Sequence, residues 1–229
     1  MNYTELTLTV MLKKDIHFSE ASFIIGRNIN YSMLSDHDLK ILHPQAVYKH
    51  YVFNSFFPLE SDKIYRSGKL YCFKVRGVDS IQMAKMETCL KKLSTKDFEV
   101  ISLSREVYAQ KHIHSLKTVM PVIITVDNGP WLQTDSTEIF IERLSANLEK
   151  KYRSIYNESF EFSKPVFNQV TFLNRKPFSM QYKGVSLLGH KIILNVAQTP
   201  DAQNLAFLAL GLGLGEKNSS LGAGFCQFE

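Results

Sequence analysis

Apolar and polar positions alternate along the first dozen residues. Leu6, Leu8, Val10 and Leu12 are separated by Glu5, Thr7, Thr9 and Met11, the period of a strand with one buried face. From about Ser19 the period changes. Ala21, Ile25, Ile29 and Met33 recur every four residues, giving a helix with one apolar stripe. Ser19 suits its N-cap and Glu20 its first turn. Arg27 and Tyr31, also four apart, fall on the exposed side. A short helical or irregular piece over Asp36 to Leu42 ends at His43-Pro44, because the residue before a proline avoids the α region. Strands follow over Tyr48 to Phe57 and Lys69 to Val78, joined by a turn-rich linker with Pro58, Ser61, Asp62 and Gly68. Asp79, with Gln82 three residues on, caps a helix over Ser80 to Leu93. Its stripe is Met83, Met86, Leu90 and Leu93. A strand from Phe98 to about Val107 completes the order βαββαβ, the ferredoxin-like unit.

The order then repeats. A strand is expected over Val119 to Val126, and Asp135 or Ser136 caps a helix with the stripe Ile141, Leu144, Leu148 and Tyr152. Strands follow near Val166 to Leu173 and, as a long hairpin arm or two short strands, over Phe178 to Val196. Thr199-Pro200 is an N-cap with proline at the first helical position. The helix it opens carries Ala202, Leu205, Leu208 and Leu212, and glycines end it. Leu221 to Phe228 is the last predicted strand. The expected fold class is α+β: tandem ferredoxin-like, RRM-like repeats, with one unit over residues 1–114 and a second over 115–229.

Charge adds a second layer. The net charge is +5 and the isoelectric point about 9.0. From Phe162 to Pro200 there is no acidic residue, while Lys164, Arg175, Lys176, Lys183 and Lys191 lie in that stretch. A basic face of this kind suits a phosphate backbone. Arg175 and Lys176 are expected at a hairpin turn with Asn174. Tyr71 to Arg76 has the aromatic spacing of an RNA-recognition strand but lacks its glycines, so Phe73 reads as core. Cys72, Cys89 and Cys226 are odd in number and contain no CxxC pair. This argues for a reducing compartment and against a disulfide framework or a cysteine-based zinc site. No Asp, Glu and His cluster has metal-ligand spacing, and no cofactor is expected. The longest apolar run, Leu205 to Gly215, is too short and glycine-rich for a bilayer. No membrane partner and a cytoplasmic location are expected.

The most distinctive segment is near the carboxyl end: Gly211, Gly213, Gly215, then Glu216-Lys217-Asn218-Ser219-Ser220, then Gly222 and Gly224. Nucleotide-binding glycine loops leave a strand and open a helix. This one leaves a helix and enters a strand, so it is not expected to aim a helix N-terminus at a pyrophosphate. It can still offer unshielded backbone N–H groups to a polyanion.

A duplicated ferredoxin-like unit with this loop before its last strand resembles the RAMP superfamily of CRISPR-associated proteins. Within it, the chain is similar to the endoribonucleases that cut precursor CRISPR RNA inside each repeat. Gly211 to Phe225 has the family's spaced glycines, basic residue, small polar residues and Gly-x-Gly-aromatic ending. Leu42 to Pro58 has a helix-end histidine followed by a lysine that opens a strand. The resemblance implies metal-independent cleavage by the 2′-hydroxyl, leaving a 2′,3′-cyclic phosphate and a 5′-hydroxyl. It implies His43 as the proton-transfer residue, Lys49 as the phosphate stabiliser and Tyr31 as an orienting or donating group, with His37 and His50 as rivals to His43. It implies RNA contact by Arg27, Arg175, Lys176, Gly213, Gly215, Lys217, Asn218, Ser219, Gly222 and Gly224. A homodimer, a place among effector-complex subunits, and a non-cleaving RNA-binding subunit of the same fold stay open.

Overall fold

The computed structural model describes the 229 residues apart from His43, Ala46, Asn128, 157–161 and Ser163. The first half is built from β1 (Asn2–Leu12), α1 (Phe18–Met33), α2 (His37–Leu42), β2 (Tyr51–Phe53), β3 (Leu70–Gly77), α3 (Ser80–Lys91) and β4 (Phe98–Ala109). The second has β5 (Ser115–Thr118), α4 (Thr137–Tyr156), β6 (Phe167–Phe172), β7 (Phe178–Tyr182), β8 (Val185–Gly189), β9 (Ile192–Val196), α5 (Pro200–Leu212), α6 (Asn218–Leu221) and β10 (Cys226–Phe228). Two-residue strands at Ile16–His17 with Ile64–Tyr65, and at Thr125–Val126 with Gly129–Pro130, complete the pairings.

Each half holds one four-stranded antiparallel sheet. The orders are β2-β3-β1-β4 and β6-β9-β5-β10. In both, the third principal strand lies between the second and the first, and the fourth closes the far edge. These are tandem ferredoxin-like folds, with the β7–β8 hairpin inserted between the second and third strands of the second sheet. In the first half Leu6, Leu8, Val10 and Leu12 meet Ala21, Ile25, Ile29 and Met33 of α1 and Met83, Met86 and Leu90 of α3 in one core. In the second, Leu116, Ile192 and Leu194 pack with Leu144 and Leu148 of α4 and Leu205 and Leu210 of α5.

Several predicted boundaries move. The second strand keeps only Tyr51–Phe53 of the expected Tyr48 to Phe57, with an isolated bridge from Phe57 to Cys72. The strand expected over Val119 to Val126 lies upstream at Ser115–Thr118. Met120, Val122, Ile123 and Ile124 are buried with only an isolated bridge from Val122 to His190, and Pro121 lacks the N–H that a central strand needs. This apolar run instead beds the glycine loop, whose Glu216 N–H donates to Ile123 O at 3.0 Å. The expected final strand from Leu221 shrinks to Cys226–Phe228, and α6 precedes it. The first helix is capped by His17 rather than Ser19, because the His17 Nδ1 accepts from the Ser19 N–H. Asp79 and Thr199 cap α3 and α5 as expected.

The halves are clasped by Arg76. Alternation places Glu5 and Arg76 on the sheet face away from α1 and α3, the face predicted to be exposed. Both are buried instead, because α5 packs across β1 and β3. Arg76 Nε donates to Glu5 at 2.6 Å, and its Nη1 to Cys226 O at 2.7 Å and Leu210 O at 3.3 Å. The guanidinium lies over the Phe225 ring at 4.2 Å and the Tyr3 ring at 5.3 Å. Lys74 Nζ completes the carboxylate at 2.6 Å. Removing one partner of a buried ion pair strands the other. Arg76→Ala should therefore lower the unfolding free energy in urea by about 3–5 kcal/mol. The double variant Glu5→Leu with Arg76→Met should recover most of that loss.

Candidate RNA-binding groove

Helix α1 supplies the first wall. Its buried stripe forces Arg27 and Tyr31 outward, and Tyr31 is 62% exposed. With Asn30 and Leu34 they line a groove of about 600 Å³, closed by Pro44, Lys49, Tyr182, Lys183, Ser219 and Ser220. Among these described lining residues there is no Asp or Glu. Three cations and several hydroxyl groups therefore face one trough, a composition that favours a phosphate chain.

Lys49 lies before β2 rather than on it. Its Nζ donates to the carbonyls of Leu42 and Gln45, the latter at 2.7 Å. It thereby closes the loop after α2. Partial burial lowers its pKa, and the third ammonium proton remains for a ligand. His50 adopts a left-handed backbone (φ 54), so the strand expected from Tyr48 has not yet begun there. Its Nε2 pairs with Ser154 Oγ at 2.9 Å, and burial lowers its pKa against the pull of Asp79. Lys49 lines both the groove and a second cavity, while His50 lines only the second. His37 is exposed on α2 and does not line the groove. His43 lies outside the described residues; Pro44, which follows it, lines the groove.

The glycine loop reaches this groove from the other half, but its glycines do not line an open cradle. Gly213, Gly222 and Gly224 are buried and spend their N–H groups on Ala209 O, Asn218 O and Pro121 O. Gly215 is buried as well, with Ile123 O 2.5 Å from where a Cβ would stand. The N–H groups of Gly213, Gly222 and Gly224 are therefore committed to packing of the loop. Asn218, also expected at RNA, is buried and donates to Leu214 O and Ala223 O at 3.0 and 2.8 Å. The loop is sculpted so that Lys217 and Ser219 stand forward. Tyr51 OH donates to Ser219 O at 3.1 Å, and burial raises its pKa.

Arg27 is shared. Its Nη2 holds Asp97 at 2.7 Å. Burial pushes the Asp97 carboxyl up, but hydrogen bonds from Asn28, Lys14 and Arg27 outweigh it and hold the pKa at about 2. Arg175 and Lys176 precede β7 instead of forming a hairpin tip. Arg175 lines a different cavity, with Trp131, Gln133 and Asn174. The tip is Lys183-Gly184, with φ of 48° and 83°, a two-residue turn of the kind an X-Gly pair favours. It carries Lys183 into the groove. Tyr182 packs edge-on to Phe23 of α1 at 6.5 Å, with Lys183 and Lys217 both above its ring. Sequence reasoning counted Lys183 only as one more basic residue. The Lys-Gly pair inside an alternating stretch was the available signal. Among the described residues no group of three or more His, Cys, Asp or Glu could hold a metal ion, and no helix is long and apolar enough to cross a membrane.

The pattern of the family described as CRISPR associated protein Cas6, C-terminal, matches residues 104–228, more than half of the chain. The chain belongs to the Cas6 family. It is 23% identical over 240 residues to the CRISPR-associated endoribonuclease Cas6 2 of Methanocaldococcus jannaschii, across 96% of this chain and 97% of that one. Among solved structures it resembles a CRISPR associated protein Cas6, with a TM-score of 0.76 and 19% identity over 99% of both chains. It also resembles a RAMP protein described as binding different RNA substrates, with a TM-score of 0.72 and 14% identity over 99% of both chains.

One groove-side residue escaped sequence reasoning altogether. Lys151 of α4 is 2% exposed, and its Nζ donates to Gly213 O and Gly215 O at 2.8 Å each. Burial lowers its pKa to about 7, against smaller opposing effects of Cys226 and Glu216. Between pH 7 and 9 the unfolded lysine is charged while the folded one is losing its proton, so the unfolded chain binds more protons. Stability contributed through this group must rise with pH across that window. Thermal melts of Lys151→Met should show that rise flattened. Gly222 (φ +67) abuts the Phe53 carbonyl, whereas Gly184 (φ +83) has open space around it. Gly222→Ala should cost at least about 2 kcal/mol in urea unfolding and Gly184→Ala about 1 kcal/mol.

Proposed function

We propose that this Cas6-family chain is an endoribonuclease that cuts precursor CRISPR RNA within its repeats, without a metal ion. The observation that carries this reading is convergence. Tyr31 and Arg27 from α1, Lys49 before β2 and Ser219 from the glycine loop meet in one trough with no carboxylate among its described lining residues. The related chain named as an endoribonuclease supports the same class of reaction.

In this reading the 2′-hydroxyl of the nucleotide before the cut attacks the adjacent phosphorus. The new bond is 2′-O–P and the broken bond is P–O5′. His43 takes the 2′-hydroxyl proton or supplies one to the departing 5′-oxygen, since an imidazole titrates near neutrality. Lys49 neutralises charge that builds on the non-bridging oxygens, using the ammonium proton not spent on the loop carbonyls. Tyr31 donates to or orients the phosphate from α1. The products are a 2′,3′-cyclic phosphate and a 5′-hydroxyl. Arg27, Lys183 and Lys217 hold the flanking backbone, with the β7–β8 hairpin as the far wall.

The test uses RNA transcribed from the host's own repeat–spacer array. The parent should cut each repeat once in EDTA, and a single 2′-deoxy nucleotide before the cut should abolish cleavage. Single-turnover rates of His43→Ala and Lys49→Ala should fall by about 10²–10⁴-fold, with RNA binding retained. A strict magnesium requirement, or cleavage of the 2′-deoxy RNA, would sink the mechanism. Tight binding without any cutting by the parent would mark a non-cleaving RNA-binding subunit instead.

A further inference from the structure

Beside the groove lies a second cavity of about 310 Å³. It is formed by Tyr48 to Tyr51, by Asn147 and Lys151 of α4, and by the glycine loop from Gly215 to Ser220. The two spaces share Lys49, Ser219 and Ser220, so one strand can pass from groove to cavity without leaving the protein surface. We propose that this cavity is a nucleotide subsite next to the cut, with one phosphate on Lys151 and the attached base against Tyr48. The inference rests on the ribonuclease reading and extends it to residues outside the cleavage machinery.

Four observations carry it. Lys151 Nζ sits at a fixed point, tied to Gly213 O and Gly215 O. Its protonated form, which burial confines to neutral and acid pH, has three N–H groups, so those two bonds leave one for a ligand in the cavity that Lys151 lines. Asn147, one helical turn earlier, lines the same wall, and its Oδ1 is buried with no hydrogen-bond partner among the described residues. That is an acceptor suited to a ribose hydroxyl. Tyr48, 36% exposed, presents a ring on which a base can stack whatever its identity. Glu216, the one carboxylate among the described lining residues, has both oxygens engaged by Thr125. Its two oxygens accept from the Thr125 N–H and Oγ1, at 2.9 Å each. Lys49 and Lys217 complete the cationic side.

The experiment uses the host repeat RNA made uncleavable by a 2′-deoxy nucleotide before the cut. Single methylphosphonate linkages, which remove one phosphate charge each, are then walked along it. In the parent, one linkage within two nucleotides of the cut should weaken binding by about tenfold when neutralised. In Lys151→Met that same linkage should lose its effect, and the salt dependence of binding should drop by about one phosphate. Asn147→Ala and Tyr48→Ala, which disturb no core contact, should each weaken binding severalfold. They decide the matter if Lys151→Met melts too low to assay. A parent that cuts repeat RNA, with unchanged linkage sensitivity in Lys151→Met and parental binding in Asn147→Ala and Tyr48→Ala, would overturn the subsite alone. A parent that neither binds nor cuts the RNA would overturn the ribonuclease reading and the subsite with it.

Discussion

The architecture depends on one buried clasp, the Arg76 guanidinium held between Glu5 of its own sheet and the carbonyls of Cys226 and Leu210 in the other half. Two ferredoxin-like units joined by a short connection could take many relative orientations. A planar cation with donors in a fixed fork restricts them, because each donor must find its acceptor once water is excluded. The clasp draws α5 onto β1 and β3. A small apolar cluster of Val52, Met120, Ile123, Leu221, Ala223 and Phe225 then closes between the halves. The glycine loop leaves α5 directly, so fixing that helix fixes where the loop meets α1.

From that placement follows the different use of the glycines. A loop entering a gap this narrow cannot carry side chains where Phe53, Leu214 and Ile123 already stand. Its bare backbone is spent on close packing, and Lys151, Asn218 and Tyr51 hold its carbonyls from three directions. What remains for a ligand is the crest, where Ser219 shares the groove with Tyr31, Arg27 and Lys49 and Lys217 stands over the Tyr182 ring. The glycines let the crest come close to α1.

The groove also shows how a moderately basic protein concentrates its charge. Arg27 is fixed in position by Asp97, whose carboxylate is held ionised by Asn28, Lys14 and Arg27. Lys183 and Lys217 share the Tyr182 ring, which supports two ammonium groups without neutralising either. Glu216 is engaged by Thr125, which accounts for both of its oxygens.

The local code determined a good deal by itself. Period-two and period-four apolar spacing set β1, α1 and α3 and the faces they bury, because side-chain direction follows backbone geometry residue by residue. Capping by Asp79 and Thr199, the exposure of Arg27 and Tyr31, and the repeated βαββαβ order were legible for the same reason. Tertiary structure alone decided the rest. Glu5 and Arg76 read as an outward face until a second domain covered it. The stretch from Val119 read as a strand, though its apolar run packs under a loop that is distant in sequence. Arg175 and Lys176 seemed to mark a hairpin tip that Lys183 in fact occupies. Lys151, in the middle of an amphipathic helix, carries no sequence signal at all. Its meaning comes from two carbonyls more than sixty positions away, and only a packed chain brings such partners within a hydrogen bond's reach.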